Sequence, residues 1–189
     1  MLDTWNSWES DVKNHVSFVE EILLPITFNS KDLLIQALMR TAKLGQIQQA
    51  KKHLSEDVIK KYSRIGSQDG LDTIGDIVLD YAIIKRCTKP NSSPKEVNDA
   101  REKYGKNCNI QQFSKECIQL QNWVIWGSDE WRTNRWRLPH NTTVLAKCFE
   151  ALIGALYLDQ GDEEQNKLKK VEEFLNYIHF FEKINKFYS

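Results

Sequence analysis

Three aspartates, Asp69, Asp72 and Asp76, stand at i, i+3 and i+7. On an α-helix that spacing stacks their side chains on one face. The opposite side carries Leu71, Ile74, Val78 and Tyr81, so residues 69–85 read as an amphipathic helix. Three like charges in one column repel each other unless a cation offsets them, and a hard divalent ion with oxygen ligands would do so. The simpler explanation is that these are first-turn acids favoured by the helix dipole and bathed in water. It accounts for Asp69 and Asp72 well and for Asp76 less well.

A second helix, residues 144–158, is apolar on nearly every side and is expected at the centre of the molecule. Its only interior charges are Lys147 and Glu150. A buried carboxylate needs a counter-charge or a metal, or it takes up a proton. Lys147, three residues earlier, could supply the counter-charge as an intrahelical pair. Both helices also hold a central glycine, Gly75 and Gly154, at a cost of roughly 1 kcal/mol each against alanine. Close approach of a second backbone is a common reason to accept that cost. If the two helices cross at these glycines, Asp72, Asp76 and Glu150 converge.

The elements that must position these acids are helical nearly throughout. Helices are expected over residues 5–24 (stopped by Pro25), from an Asn29 or Ser30 cap through Leu38, and from 109 to 120. Residues 46–64 read as a polar, lysine-rich, solvent-facing stretch. Ser93-Pro94 with Glu96 has the form of a capping box with first-turn proline. Residues 127–141 form an irregular loop, Asn141 or Thr142 caps the apolar helix, and a charged amphipathic helix runs over 163–187. The 189 residues, 41% hydrophobic and 28% charged, suit one all-α domain. Four scattered cysteines without a close pair read as buried reduced thiols. No apolar run is long enough for a membrane span, and the first ten residues lack signal-peptide character, so the expected location is the cytoplasm. Lysines plus arginines equal aspartates plus glutamates, 26 each, so any polyanion must be met by a local basic face.

The motifs, taken together, resemble the ribonuclease III family. DGLDTIGDIVLD over residues 69–80 is similar to the signature helix E-x-L-E-F-L-G-D-x-x-L. TVLAKCFEALIGALYLD over 143–159 is similar to the second signature, L-A-D-x-F-E-A-L-I-G-A-x-Y-L-D. FNSKDLLIQAL (28–38), the 93–101 helix with Asn107 and Ile110, and GSDE (127–130) resemble further family stretches in the family's order. The similarity covers roughly residues 16–180. It implies a helical endonuclease domain that hydrolyses double-stranded RNA to 5′-phosphate and 3′-hydroxyl ends. It further implies Mg²⁺ (Mn²⁺ as substitute) on Asp72, Asp76 and Glu150, with Asp76 and Glu150 catalytic and Asp69 an accessory carboxylate. No organic cofactor is expected, and a homodimer would cut one strand per subunit.

Several departures qualify that expectation. Lys147 stands where most of the family has a metal-binding aspartate, and a cation there repels Mg²⁺ by several kcal/mol, in order of magnitude. It could swing away, replace one metal, or pair with Glu150 and silence the site. The last outcome defines the alternative function, an impaired RNA-binding or ribonucleoprotein assembly protein. Thr73 replaces a phenylalanine that anchors the family dimer, Met39 replaces a usual histidine, and residues 43–65 form a lysine-rich insertion. The chain ends without the double-stranded RNA-binding domain that the family often appends. RNA contact is therefore assigned to the loop holding Trp131, Arg132, Arg135, Trp136 and Arg137, whose arginines can reach phosphates and whose tryptophans can stack. Packing of that loop by its own tryptophans explains the same composition equally well.

Overall fold

The computed structural model describes residues 27–49, 65–66, 68–134, 137, 143–161 and 163–187. The expected 5–24 helix and the lysines of the insertion beyond residue 50 lie outside them. The first described helix, α1 (Lys31–Leu38), starts at Ser30, whose hydroxyl accepts the Leu33 N–H at 3.4 Å. Met39 leaves the helix in an extended conformation and forms an isolated parallel bridge with Ile125. That bridge is the only β pairing among the described residues. The chain continues through α2 (Thr41–Gln49), α3 (Asp69–Cys87), α4 (Pro94–Tyr104) and α5 (Asn107–Glu116). After a short 3₁₀ turn come α6 (Ser128–Arg132), α7 (Val144–Leu158), α8 (Glu164–Tyr177) and α9 (Phe180–Phe187).

The apolar composition of α7 makes it the axis of the fold. It is buried from Val144 through Leu156 apart from Lys147, and it packs against α1, α3, α5 and α8. Phe149 on α7 stacks on Phe180 of α9 at 5.6 Å between ring centroids, and Phe113 of α5 meets Phe180 edge-on at 5.0 Å. Buried aromatic pairs of this kind hold the α5, α7 and α9 layers in one register.

Two polar residues fix the ends of α7. Thr143, at the cap position, makes no capping bond. The Gln111 side chain of α5 instead accepts the Leu145 and Ala146 N–H groups at 2.7 and 3.1 Å. At the other end the buried Asp159 carboxylate accepts the Asn29 and Ser30 N–H groups at 2.8 and 2.7 Å. Lys170 lies 3.5 Å from it. The acid thus ties the end of α7 to the start of α1 and to α8.

The structure corrects six readings. The irregular loop expected over 127–141 holds the helix α6 at Ser128–Arg132, and the cap position of α7 is Thr143 in place of Asn141 or Thr142. The expected 109–120 helix is α5, which ends at Glu116, and Gln119 turns the chain with a left-handed φ of 52°. The expected 163–187 helix is two helices, broken where His179 takes φ 55°. Of the cysteines only Cys148 is buried, while Cys87 and Cys108 are exposed and Cys117 is half-buried. Tyr81, assigned to the inner face of α3, is half exposed.

Candidate active site

Crossing of α3 and α7 builds the site. A Cβ on Gly75 would fall 1.7 Å from the Glu150 carbonyl oxygen, and one on Gly154 would fall 2.2 Å from the Leu71 carbonyl oxygen. Only two glycines let the backbones meet this closely. With the helices locked at that depth, Asp72 and Asp76 of α3 and Glu150 of α7 share one neighbourhood.

Each acid there has a different environment. Glu150 is 6% exposed. Burial, then the negative charges of Asp76 and Asp72, push its carboxyl up to about 7, against the opposing pull of Lys147. Asp76 is exposed, yet partial desolvation and the charge of Asp80 raise its carboxyl as well, while Arg101 pulls the other way. Neither Asp76 nor Glu150 makes a hydrogen bond or ion pair with another described residue. Asp72 is buried and lies 3.6 Å from Lys147 Nζ. The lysine therefore pairs across the crossing with Asp72, and the pair with Glu150, one of the three outcomes left open for it, does not form.

Asp69 belongs elsewhere. It is exposed and accepts the Thr41 hydroxyl at 3.1 Å, at the foot of α2. Two charged residues that sequence reasoning passed over complete the cleft. Asp80, one turn beyond Asp76, accepts Arg101 Nε at 2.9 Å and is also bonded to a second guanidinium nitrogen. Gly105 leaves room for it, since a Cβ there would sit 3.0 Å from Asp80 Oδ1. The i, i+4 repeat from Asp76 was the available signal for Asp80, whereas only the packing of α4 on α3 brings Arg101 to it. Asp76, Asp80, Asn98, Arg101, Glu102 and Lys106 line an open groove of about 400 Å³ between α3 and α4.

The donors suit a hard dication: they are carboxylate oxygens, and two of them lack a partner among the described residues. Among those residues no three acids, histidines or cysteines gather closely enough to cage an ion. Mg²⁺ is commonly held by only one or two carboxylates, with water and substrate phosphates completing its shell. The pair Asp76 and Glu150 fits that mode. Of the loop residues, Arg132 and Arg137 are exposed. Arg135, Trp136 and the side chain of Trp131 lie outside the described set.

Comparison with known proteins places this arrangement. Residues 69–161 match the ribonuclease III domain. The chain is 27% identical over 163 residues to ribonuclease 3 of Oceanobacillus iheyensis, covering 85% of this chain and 61% of that protein. It is 31% identical over 162 residues to ribonuclease 3 of Bacillus cereus, covering 85% and 56%. Residues 69–161 form a ribonuclease III domain. The matched span opens at Asp69 and closes just beyond α7, so it contains both crossing helices and the α4 wall of the groove.

The ribonuclease III fold is likewise evident in the coordinates. The nuclease domain of ribonuclease III from Campylobacter jejuni superposes with a TM-score of 0.60 at 16% identity, covering 84% of this chain and 94% of that one. A second structure of that nuclease domain gives 0.57 at 17% identity. The chain spans about half to three-fifths of the length of the curated ribonucleases it matches. Among the described residues no helix is long and apolar enough to cross a membrane.

Proposed function

We propose that this ribonuclease III domain is a divalent-metal-dependent endoribonuclease that hydrolyses double-stranded RNA to 5′-phosphate and 3′-hydroxyl ends. One observation carries the reading. Glu150, 6% exposed and without an ion-pair or hydrogen-bond partner among the described residues, is held beside Asp76 and Asp72 by a glycine-on-glycine helix crossing. A fold that needed only stability would place an apolar residue there, because an unpaired buried carboxylate is costly.

Asp76 and Glu150, with Asp72 beside them, would hold Mg²⁺ (or Mn²⁺) directly or through water. When bound, the ion supplies positive charge to the phosphate and acidifies the attacking water. The chain's own residues do the rest. The crossing fixes Glu150 among buried groups, and Asp76 stands beside it in contact with solvent. Arg101 holds Asp80 to one side, which keeps that acid from crowding the phosphate. Arg132, Arg137 and their neighbours Trp131, Arg135 and Trp136 are assigned to the RNA backbone, and Asp69 stays an accessory acid at the rim.

The natural assembly in this reading is a homodimer cutting one strand per subunit. One of the Campylobacter structures is described as having a region involved in dimer formation. Here Thr73, Ile77 and Tyr81 lie at i, i+4 and i+8 on the outer face of α3, with Ile77 66% and Tyr81 50% exposed. An exposed apolar stripe of that kind suits a protein contact.

The test is cleavage of a long perfect RNA duplex in Mg²⁺ and in EDTA, with end-group mapping of the products. Cutting in Mg²⁺ alone, abolished by Glu150→Gln, is expected. Duplex binding that ignores Mg²⁺, with no cutting by clean protein in Mg²⁺ or Mn²⁺, would replace the nuclease reading with an RNA-binding or assembly role.

A further inference from the structure

Charge balance divides the four carboxylates of the cleft into two kinds. Asp72 has the Lys147 ammonium at 3.6 Å, and Asp80 has the Arg101 guanidinium bonded through two nitrogens. Each of these acids already holds a cation from the chain itself. Asp76 and Glu150 hold none among the described residues, and Glu150 is more than nine-tenths buried with no hydrogen-bond partner there. Two uncompensated carboxylates balance one dication. A second dication would have to settle beside Asp72, where it meets the charge of Lys147 a few ångströms away.

Lys147 is also well placed to act on substrate. It lies one turn before Glu150 on α7, its side chain is 53% exposed, and Asp72 beneath it is nearly covered. The ammonium therefore reaches solvent beside Asp72 and Glu150, with donors left over on its solvent side. An ammonium is a compact point charge with three donors, able to serve a carboxylate and a phosphate together.

Resting on the nuclease reading above, we infer that each chain takes a single divalent ion, between Asp76 and Glu150, and that Lys147 supplies the second positive charge to the scissile phosphate. Lys147 is then neither a bystander nor a lesion. It is a fixed replacement for an ion that would otherwise be drawn from solution.

Counting ions tests this without relying on activity. Mn²⁺ is titrated into the purified chain and free ion is followed by electron paramagnetic resonance, in parallel with single-turnover cleavage of an RNA duplex. The wild-type chain should bind one Mn²⁺, Lys147→Asp should bind two, and Glu150→Gln should bind none in the same range. Lys147→Ala should keep one ion yet cleave at least 30-fold more slowly, and Lys147→Arg should recover most of that loss. Two ions in the wild-type chain, or Lys147→Ala cleaving as fast as wild type, would overturn the inference and leave the nuclease reading standing. No ion and no cleavage in the wild-type chain would remove both. Because Lys147 is half exposed, these variants are expected to keep the wild-type helical signal and melting behaviour.

Discussion

Replacing Glu150 by glutamine keeps the side chain's shape and removes its charge, so it separates the cost of the site from its use. In the ion-free protein, burial beside Asp76 and Asp72 raises the Glu150 carboxyl from its ordinary 4.5 to about 7. The folded state then binds the proton about 300-fold more tightly than the unfolded chain, which corresponds to about 3 kcal/mol. The sign follows from linkage: a raised carboxyl contributes stability below pH 4.5, loses it as the pH climbs from 4.5 to 7, and contributes nothing beyond. Some relaxation and water entry reduce the figure, so about 1–3 kcal/mol is expected in practice. Glutamine never ionises. In EDTA at pH 8, Glu150→Gln should melt about 2–10 °C above wild type, and the two curves should meet near pH 4.5. Millimolar Mg²⁺ should raise the wild-type melting temperature and leave the variant's unchanged, because only a folded chain that binds the ion gains by mass action. Thermal melts by circular dichroism across pH 4–8, with and without Mg²⁺, measure all of this. A variant that melts below wild type in EDTA at pH 8 would refute the claim that the carboxylate is held there against its own preference.

Three further perturbations probe the frame. Gly75→Ala gains helix propensity of about 1 kcal/mol, but its methyl would collide with the Glu150 carbonyl oxygen. Urea titration should show a net loss of several kcal/mol, since the helices must move apart. Asp159→Ala leaves two backbone N–H groups and Lys170 without their shared acceptor. It should cost about 3–5 kcal/mol in the same assay. Ile77→Lys paired with Tyr81→Lys removes the apolar stripe on the outside of α3. It should shift sedimentation from dimer to monomer while the monomer keeps its helical content, and an unchanged dimer would place the interface elsewhere.

What could be read from the residues alone tracks how local the physics is. The α3 acids, the capping box of Ser93 and Glu96, and the Ser30 cap all follow from spacings within a turn or two, and each stands where expected. The paired glycines were legible for a different reason: a helix pays for an interior glycine, and a second backbone at that depth explains the payment. Long-range partners left no such trace. Gln111 caps α7 from another helix, and Arg101 reaches Asp80 across the α3–α4 packing, neither of which any sequence spacing encodes. The breaks at Gln119 and His179 escaped because both residues take left-handed φ without being glycine.

The direction of Lys147 shows why the site itself was only half legible. Within α7 the i, i+3 spacing to Glu150 kept an intrahelical pair open as a rival to metal binding. Tertiary structure changes the choice in two ways. The crossing draws Glu150 inward, where a lysine could follow only by burying its own ammonium, and it brings Asp72 up beneath the half-exposed Lys147. The ammonium stays near water and pairs with Asp72 on the neighbouring helix, so that its stem reaches toward α3 while its charge keeps solvent contact. The buried acid is thereby left unpaired, the condition that an incoming dication would relieve. A lysine at this position is thus compatible with an open metal site because its ammonium is engaged by Asp72 of α3 and makes no ion pair with Glu150 among the described residues.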